Sequence, residues 1–283
     1  MLSFEDLKGQ VCVITGGAGV IGSSIAKDLA RLGVKVAIID RDKERSGVIA
    51  QQLLKECACG GVVKGYYADV LDKELLEKAK EQINQELGPI NLLINGAGGN
   101  SPKASTQLEK IEKANLNELE KSFYGLDAEG FDFVFDLNFK GTLLPTMVFS
   151  RDMLELGKGA ILNVSSMNSY KPLTKIPAYS AAKAAINNFT QWLAVHLAKT
   201  GIRVNAIAPG FFLTSQNEFL LIDEKSGEPT ARGKKIIEST PMNRYGEVEE
   251  LSGTALYLLS NTSKFVTGVC IPVDGGYSAY GGV

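Results

Sequence analysis

A single α/β domain built on one doubly wound parallel sheet, with helices on both faces, is the fold class predicted for these 283 residues. Three observations carry it. Short β-branched runs alternate with longer helical patterns along the whole chain. Most of those runs are apolar throughout, as strands buried on both faces are, rather than alternating. No Pro/Ser-rich linker, charge block or internal repeat marks a second domain, so residues 1–283 read as one unit.

In order, the strand-like runs are VCVIT (11–15), VKVAIID (34–40), GVVKGYYA (61–68), INLLIN (90–95), GAILNVS (159–165), GIRVNAIA (201–208) and GVCIPVD (268–274). Amphipathic stretches lie between them, among them 71–87 and 179–199. Several strand-to-helix loops begin with Gly, Asn or Asp. Sheets of this class bind ligands outside the carboxyl ends of their strands, so chemistry is expected just after each strand.

Composition narrows the function. Thirty basic against thirty-two acidic residues give no reason to expect nucleic acid or an anionic membrane. No apolar run approaches membrane-spanning length, and MLSFEDLKGQ has neither the basic nor the apolar region of a secretory signal. Cys12, Cys57, Cys59 and Cys270 lack disulfide or metal-ligand spacing, which reads as reduced thiols in a cytoplasmic protein. His196 is the only histidine, so a metal site built on histidine is disfavoured and acid–base chemistry needs another side chain.

The first loop is Thr15-Gly16-Gly17-Ala18-Gly19-Val20-Ile21-Gly22, after a strand and opening a helix. Glycines there let the backbone turn tightly and approach a pyrophosphate at a helix N-terminus. Eighteen residues past Gly22, Asp40 ends the next strand, where a carboxylate accepts ribose hydroxyls and repels a 2′-phosphate. This Rossmann-type unit points to NAD(H). NADP is disfavoured, although Arg41 offers a cation for its phosphate. Asp69-Val70, after the third strand, could hold an adenine edge; taken alone, Asp69 reads as a helix N-cap.

These pieces, with Asn95-Gly96-Ala97-Gly98, Asn138, Ser166, Tyr179-Ser180-Ala181-Ala182-Lys183, Pro209-Gly210, Thr214 and Val273-Asp274-Gly275-Gly276, resemble the short-chain dehydrogenase/reductase family over essentially the full length. Ser166 lies thirteen residues before Tyr179, the family's interval, which selects it over Ser165. Independently, a phenol can serve as acid/base if its pKa falls from about 10 toward neutrality. An ammonium one helical turn away, with a positive oxidised nicotinamide, favours that fall. Ser166 can hydrogen-bond the reacting oxygen. The resemblance further implies that Lys183 contacts the nicotinamide ribose and that Asn138 holds a water in a proton relay. It also implies that the Pro209–Thr214 segment, with Gly210 and Phe212, receives the carboxamide end of the cofactor. Beside the glycines, Val20, Ile21, Asn95, Ala97 and Gly98 are cofactor-binding candidates.

Each motif has a plainer reading. A Tyr/Lys pair at i, i+4 is usually a solvated helix face, a serine pair after a strand usually an N-cap, and Asn138 could be a buried hydrogen-bonding residue. A catalytically idle NAD(H) sensor or scaffold is the contrasting class. Two departures from the family pattern stand out. The middle glycine comes one residue early, at Gly19, and Gly96 replaces a more usual asparagine.

The chain is longer than the common family form, with surplus at about 99–130 and 211–245. Both segments leave strand carboxyl ends and can wall a substrate site. Asn100, Ser101, Lys103, Asn168, Ser215, Gln216, Asn217 and Arg244 are substrate-binding candidates, and Lys171, Lys175 and Arg232 are further cations able to reach a carboxylate. GAGGNSPKAST with PGFFLTSQNEFLL resembles the D-mannonate oxidoreductase (fructuronate reductase) branch. That implies NAD(H)-linked interconversion of D-fructuronate and D-mannonate, the alternative being a gluconate or other polyol/keto-sugar dehydrogenase. The family also implies a homo-oligomer, commonly a tetramer, through apolar helices after Asn138 and Tyr179.

Overall fold

The computed structural model of the protein describes residues 3–57, 61–214 and 217–282; Cys59, Ser215 and Gln216 lie outside them. Seven parallel strands form one sheet in the order β3-β2-β1-β4-β5-β6-β7. They are β1 (Val11–Thr15), β2 (Lys35–Asp40), β3 (Val62–Tyr67), β4 (Leu92–Asn95), β5 (Gly159–Val164), β6 (Ile202–Pro209) and β7 (Cys270–Val273). Each falls within a residue or two of its expected run. The expected apolar character has its cause here: all five residues of β1 are buried, because both faces of the sheet are covered.

On one face lie α1 (Val20–Arg31), α2 (Lys43–Glu56) and, late in the chain, α9 (Glu250–Leu259). On the other lie α3 (Lys73–Glu86), α5 (Gly141–Leu156) and α6 (Pro177–Leu197). Local chemistry sets the boundaries. The Asp42 and Asp72 carboxylates cap α2 and α3 by accepting from Arg45 N at 2.9 Å and Leu75 N at 3.0 Å. Gly157 ends α5 in the left-handed region at φ 63°. Pro177 opens α6 at its first turn, where no intrahelical N–H is needed.

A polar bridge crosses the middle of this core. Asn95 Nδ2 donates to Thr146 Oγ1 on α5 and to Asn163 Oδ1 on β5, both at 2.8 Å. Asn163 Nδ2 in turn donates to Thr190 Oγ1 on α6 at 2.9 Å. Four buried side chains thus tie α5 to α6 through the sheet. Each such bond contributes about 1 kcal/mol net, and unmaking one costs more than that.

The first surplus segment is a chain of 3-10 turns leading into α4 (Ala128–Phe135), which runs through a π turn at Asp136–Lys140 into α5. The second holds α7 (Glu218–Leu221) and α8 (Ala231–Glu238). They meet each other: Glu109 in the first accepts from Lys235 Nζ in the second at 2.9 and 3.1 Å. Thr106 N also donates to Lys175 O, just before α6, at 2.9 Å. Ala104, Val134 and Ala178, all buried, form a satellite apolar cluster with Phe131 and Tyr179. Among the described residues no helix is long and apolar enough to cross a membrane.

Candidate active site

The register aligns Thr15, Asn95 and Asn163 across β1, β4 and β5, so the loops that follow them emerge together. Strand order reverses between β1 and β4, which opens a crevice there. Thr15 Oγ1 accepts from Gly96 N at 3.2 Å and from Ala97 N at 3.3 Å, drawing the two loops into contact. Gly16, at φ 62°, has no room for a side chain: a Cβ would lie 2.8 Å from Ala97 Cα. A Cβ on Gly22 would lie 2.7 Å from Gly16 O, so the turn packs directly on α1. Gly19 is the N-cap of α1 and no side chain caps it. The amides of Val20, Ile21 and Gly22, the first three helical residues, therefore face the loop without a capping group. The glycine one residue early at Gly19 thus serves as the cap itself.

Asp40 ends β2, half-buried, with one carboxylate oxygen accepting from Asp42 N at 3.2 Å. Arg41 beside it is exposed. Asp69 is not the cap that it suggests when taken alone. It accepts from Leu71 N at 2.9 Å, and the cap of α3 is Asp72. Val70 is buried against the start of α5.

The candidate catalytic groups meet at the carboxyl end of β5. Lys183 is 3% exposed, and its ammonium donates to Val164 O at 2.8 Å. It stands 5.5 Å from the centroid of the Tyr179 ring. Asn138, fully buried in the π turn, donates to Gly99 O at 2.7 Å and Val134 O at 2.8 Å. Its Oδ1 accepts from Gly99 N at 3.3 Å. π turns recur at functional sites, and this one turns Asn138 out of regular helical register. A Cβ on Gly98 would lie 2.7 Å from Asn138 Oδ1 and 3.2 Å from Lys183 Nζ. The loop after β4 thus rests directly on both residues.

The two serines divide their work. Ser165 Oγ donates to Asn187 Oδ1 at 2.6 Å and contacts Lys183 O, tying the strand end to α6. Ser166 is buried, caps the short turn Met167–Ser169, and lies beside the Tyr179 hydroxyl, whose ionised form it favours. Asn187 was not expected from the motifs. Its place one helical turn after Lys183 is the signal that could have found it.

Electrostatics set the starting point of the free protein. The phenol of Tyr179 is pushed above its usual value by burial, and Ser166 only partly opposes this. The chain's own groups therefore do not lower it toward neutrality. Lys183 moves the other way: burial lowers its pKa to about 8.

Other candidates are placed elsewhere or used locally. The Asn95 amide is turned into the core bridge, away from the crevice. Gly210 follows β6, donates to Val273 O at 2.9 Å and packs on Asp274. The Phe212 ring is buried against Gly246. Asn217 Oδ1 accepts from Thr214 N at 2.9 Å while its Nδ2 donates to Phe212 O at 2.8 Å, which closes that turn and spends the amide. Arg244 makes a two-pronged pair with Glu250, 2.7 Å on each side. It lines a cavity of about 370 Å³ with Phe212, Thr240 and Asp274 that no Asn138, Ser166, Tyr179 or Lys183 atom lines.

In the first surplus segment, Asn100 Nδ2 donates to Ser105 Oγ at 3.0 Å, and Ser101 caps the Pro102–Ala104 turn. Lys103 is largely exposed and 4.0 Å from Asp127. Lys171 donates to Tyr280 O at 2.6 Å beside the rings of Tyr277 and Tyr280. Asn168 remains, buried next to Ser166.

Residues 10–225 match the model of the short chain dehydrogenase family. The chain belongs to that family. Over 280 residues, 99% of this dehydrogenase and 98% of the relative, it is 51% identical to the uncharacterized oxidoreductase UxuB of Bacillus subtilis (strain 168). It is similar, at 49% identity and TM-score 0.92 over 98% of both chains, to a Haemophilus influenza protein described provisionally as a D-mannonate oxidoreductase and solved with bound NAD. A gluconate 5-dehydrogenase from Burkholderia cenocepacia J2315, solved with NADP and tartrate, is 28% identical with TM-score 0.81 over 98% of both chains.

The Lys183 shift gives a stability test with a definite sign. The folded pKa, about 8, lies below the ordinary 10.5, so the folded state carries the cost of a buried ammonium at neutral pH. That cost is relieved as pH rises from about 8 toward 10.5. Lys183→Met should therefore melt a few degrees above the wild type at pH 7, with the gap closing toward pH 10.5, while turnover falls about 100-fold or more. A variant that melts lower than the wild type at both ends of that range would contradict this.

Proposed function

We propose that this dehydrogenase uses NAD(H) to interconvert a ketone and a secondary alcohol on a linear sugar acid, D-fructuronate and D-mannonate being the pair. The carrying observation is the meeting of Ser166, Tyr179 and Lys183 at the strand end beside an open glycine turn. The fit of the cofactor rests on that turn, where side chains would clash, on the uncapped amides of α1 and on Asp40 one strand over. Bound NAD(H) supplies the hydride donor or acceptor.

The chain's own residues handle the proton. In reduction the Tyr179 hydroxyl gives its proton to the substrate oxygen, which Ser166 holds; in oxidation the phenolate takes it back. With the oxidised cofactor bound, the Lys183 ammonium would add to the positive charge that favours that phenolate. Both amide hydrogens of Asn138 are spent on Gly99 and Val134, so a relay water would have to use a second lone pair of an oxygen that already accepts from Gly99 N or Thr142 Oγ1.

A sugar acid fits the polar residues of the surplus segments, and both solved neighbours point to that class: one by its provisional description, the other by its name and its bound tartrate. The second of these also favours an alternative within the class, a gluconate or other keto-sugar substrate. An NADH-oxidation assay with D-fructuronate decides. Turnover is expected; none, beside clear activity on another keto-sugar or simple ketone, would sink the substrate assignment. Tyr179→Phe should lose at least about 100-fold in kcat with NADH binding intact. Unchanged turnover would refute Tyr179 as the acid/base, whereas a wild type that binds NADH but turns nothing over would be a nucleotide-binding sensor.

Asp40 supports NAD over NADP, although the gluconate 5-dehydrogenase neighbour holds NADP. Asp40→Ala should weaken NADH binding about tenfold and narrow the preference over NADPH. A wild type that prefers NADPH contradicts the assignment.

We extend the reading to a homo-oligomer. On α6, Trp192 and Val195 are 55% and 79% exposed, and on α5 Met147 and Leu154 are 47% and 46% exposed, more apolar surface than a monomer needs there. Sedimentation of the purified protein should give a dimer or tetramer at micromolar concentration; a monomer throughout would contradict it.

A further inference from the structure

One buried polar atom next to the candidate catalytic cluster has no hydrogen-bond donor among the described residues. The turn Met167–Ser169 is fixed on every side. Asn168 N donates to Ser166 Oγ at 3.2 Å, and Ser169 Oγ donates to Ser166 O at 2.6 Å. From α6, Asn187 reaches both flanks, donating to Ser169 Oγ at 2.8 Å and accepting from Ser165 Oγ at 2.6 Å. The turn also packs against β6, so it sits between the helix that carries Tyr179 and the strand that ends at Pro209.

Within this rigid frame Asn168 is only 5% exposed, and its Oδ1 has no hydrogen-bond donor among the described residues. A buried acceptor without a donor bears its whole desolvation penalty, and such groups call for an explanation. A leucine of nearly the same shape would avoid the penalty. A preorganised acceptor that meets its donor only in the complex accounts for it.

We propose that Asn168 Oδ1 is a specificity-determining acceptor for a substrate hydroxyl, on the carbon beside the reacting carbonyl. The proposal rests on the reading that Ser166 and Tyr179 hold that carbonyl oxygen. Ser166 Oγ accepts from the Asn168 backbone amide, so this residue, two along the turn, stands beside the group that holds the carbonyl oxygen, and a hydroxyl on the adjacent carbon is the substituent nearest to it. An acceptor at this point favours α-hydroxy ketones over plain ketones, because the plain ketone leaves the amide oxygen buried and unpaired.

The test compares two matched pairs with NADH and the full-length enzyme. One is a ketouronate and its analogue lacking the hydroxyl beside the carbonyl; the other is acetoin and 2-butanone. Wild type should favour the hydroxylated member by about 100-fold in kcat/KM. Asn168→Leu should narrow this to within about fivefold by losing on the hydroxylated member alone, at an unchanged or higher melting temperature. Asn168→Ala supplies the same reading if the leucine variant does not fold. A variant that folds and keeps the wild-type ratio overturns the proposal, as does a wild type with no preference. A wild type idle on the ketouronate but selective for acetoin would strike the sugar-acid reading and leave the role of Asn168 standing.

Discussion

The ammonium of Lys183, 3% exposed and held on the carbonyl of Val164, is the interaction on which the rest of the site depends. A charge in that position is costly, and only fixed partners keep it there. The partner carbonyl exists because β5 ends at Val164, paired in register with Ile207 of β6. Space for the ammonium exists because Gly98 has no side chain and Asn138 holds Gly99 in place. From the same helix, Tyr179 and Asn187 fan outward to the reacting group and to the Ser166 turn. Moving any one of these elements would strand a buried charge, so the fold's cooperativity and the site's geometry are the same constraint.

In the proposed mechanism this arrangement divides the control of proton transfer. Burial raises the phenol and lowers the ammonium, so the two move in opposite directions, and in the free protein only Ser166 acts toward ionising Tyr179. Positive charge arriving in the crevice with the oxidised cofactor acts in the same direction as Ser166.

Much of this was legible in the sequence, and the rest was hidden for identifiable reasons. All seven strands were readable, the central ones because burial on both faces leaves mostly apolar runs. The glycine turn and the Ser166, Tyr179 and Lys183 set were readable because their chemistry restricts residue type and spacing. The loops were not. Asn217, Asn100, Ser101 and Arg244 are polar residues at the right strand ends, yet each closes its own segment or pairs with a near neighbour. A long surface segment must satisfy its own backbone and side-chain groups first, and composition does not tell which are left over. The inward turn of Asn95 and the upward shift of Tyr179 likewise depend on burial that only the packed structure sets.

The most direct test of the account is the ionisation of Tyr179 itself, read as the phenolate absorbance of wild type minus Tyr179→Phe across pH. In the free protein it should ionise above the ordinary tyrosine range of about 10, and with saturating NAD⁺ its midpoint should fall toward neutrality. A midpoint that is the same in both states, or already below that range in the free protein, would contradict the account.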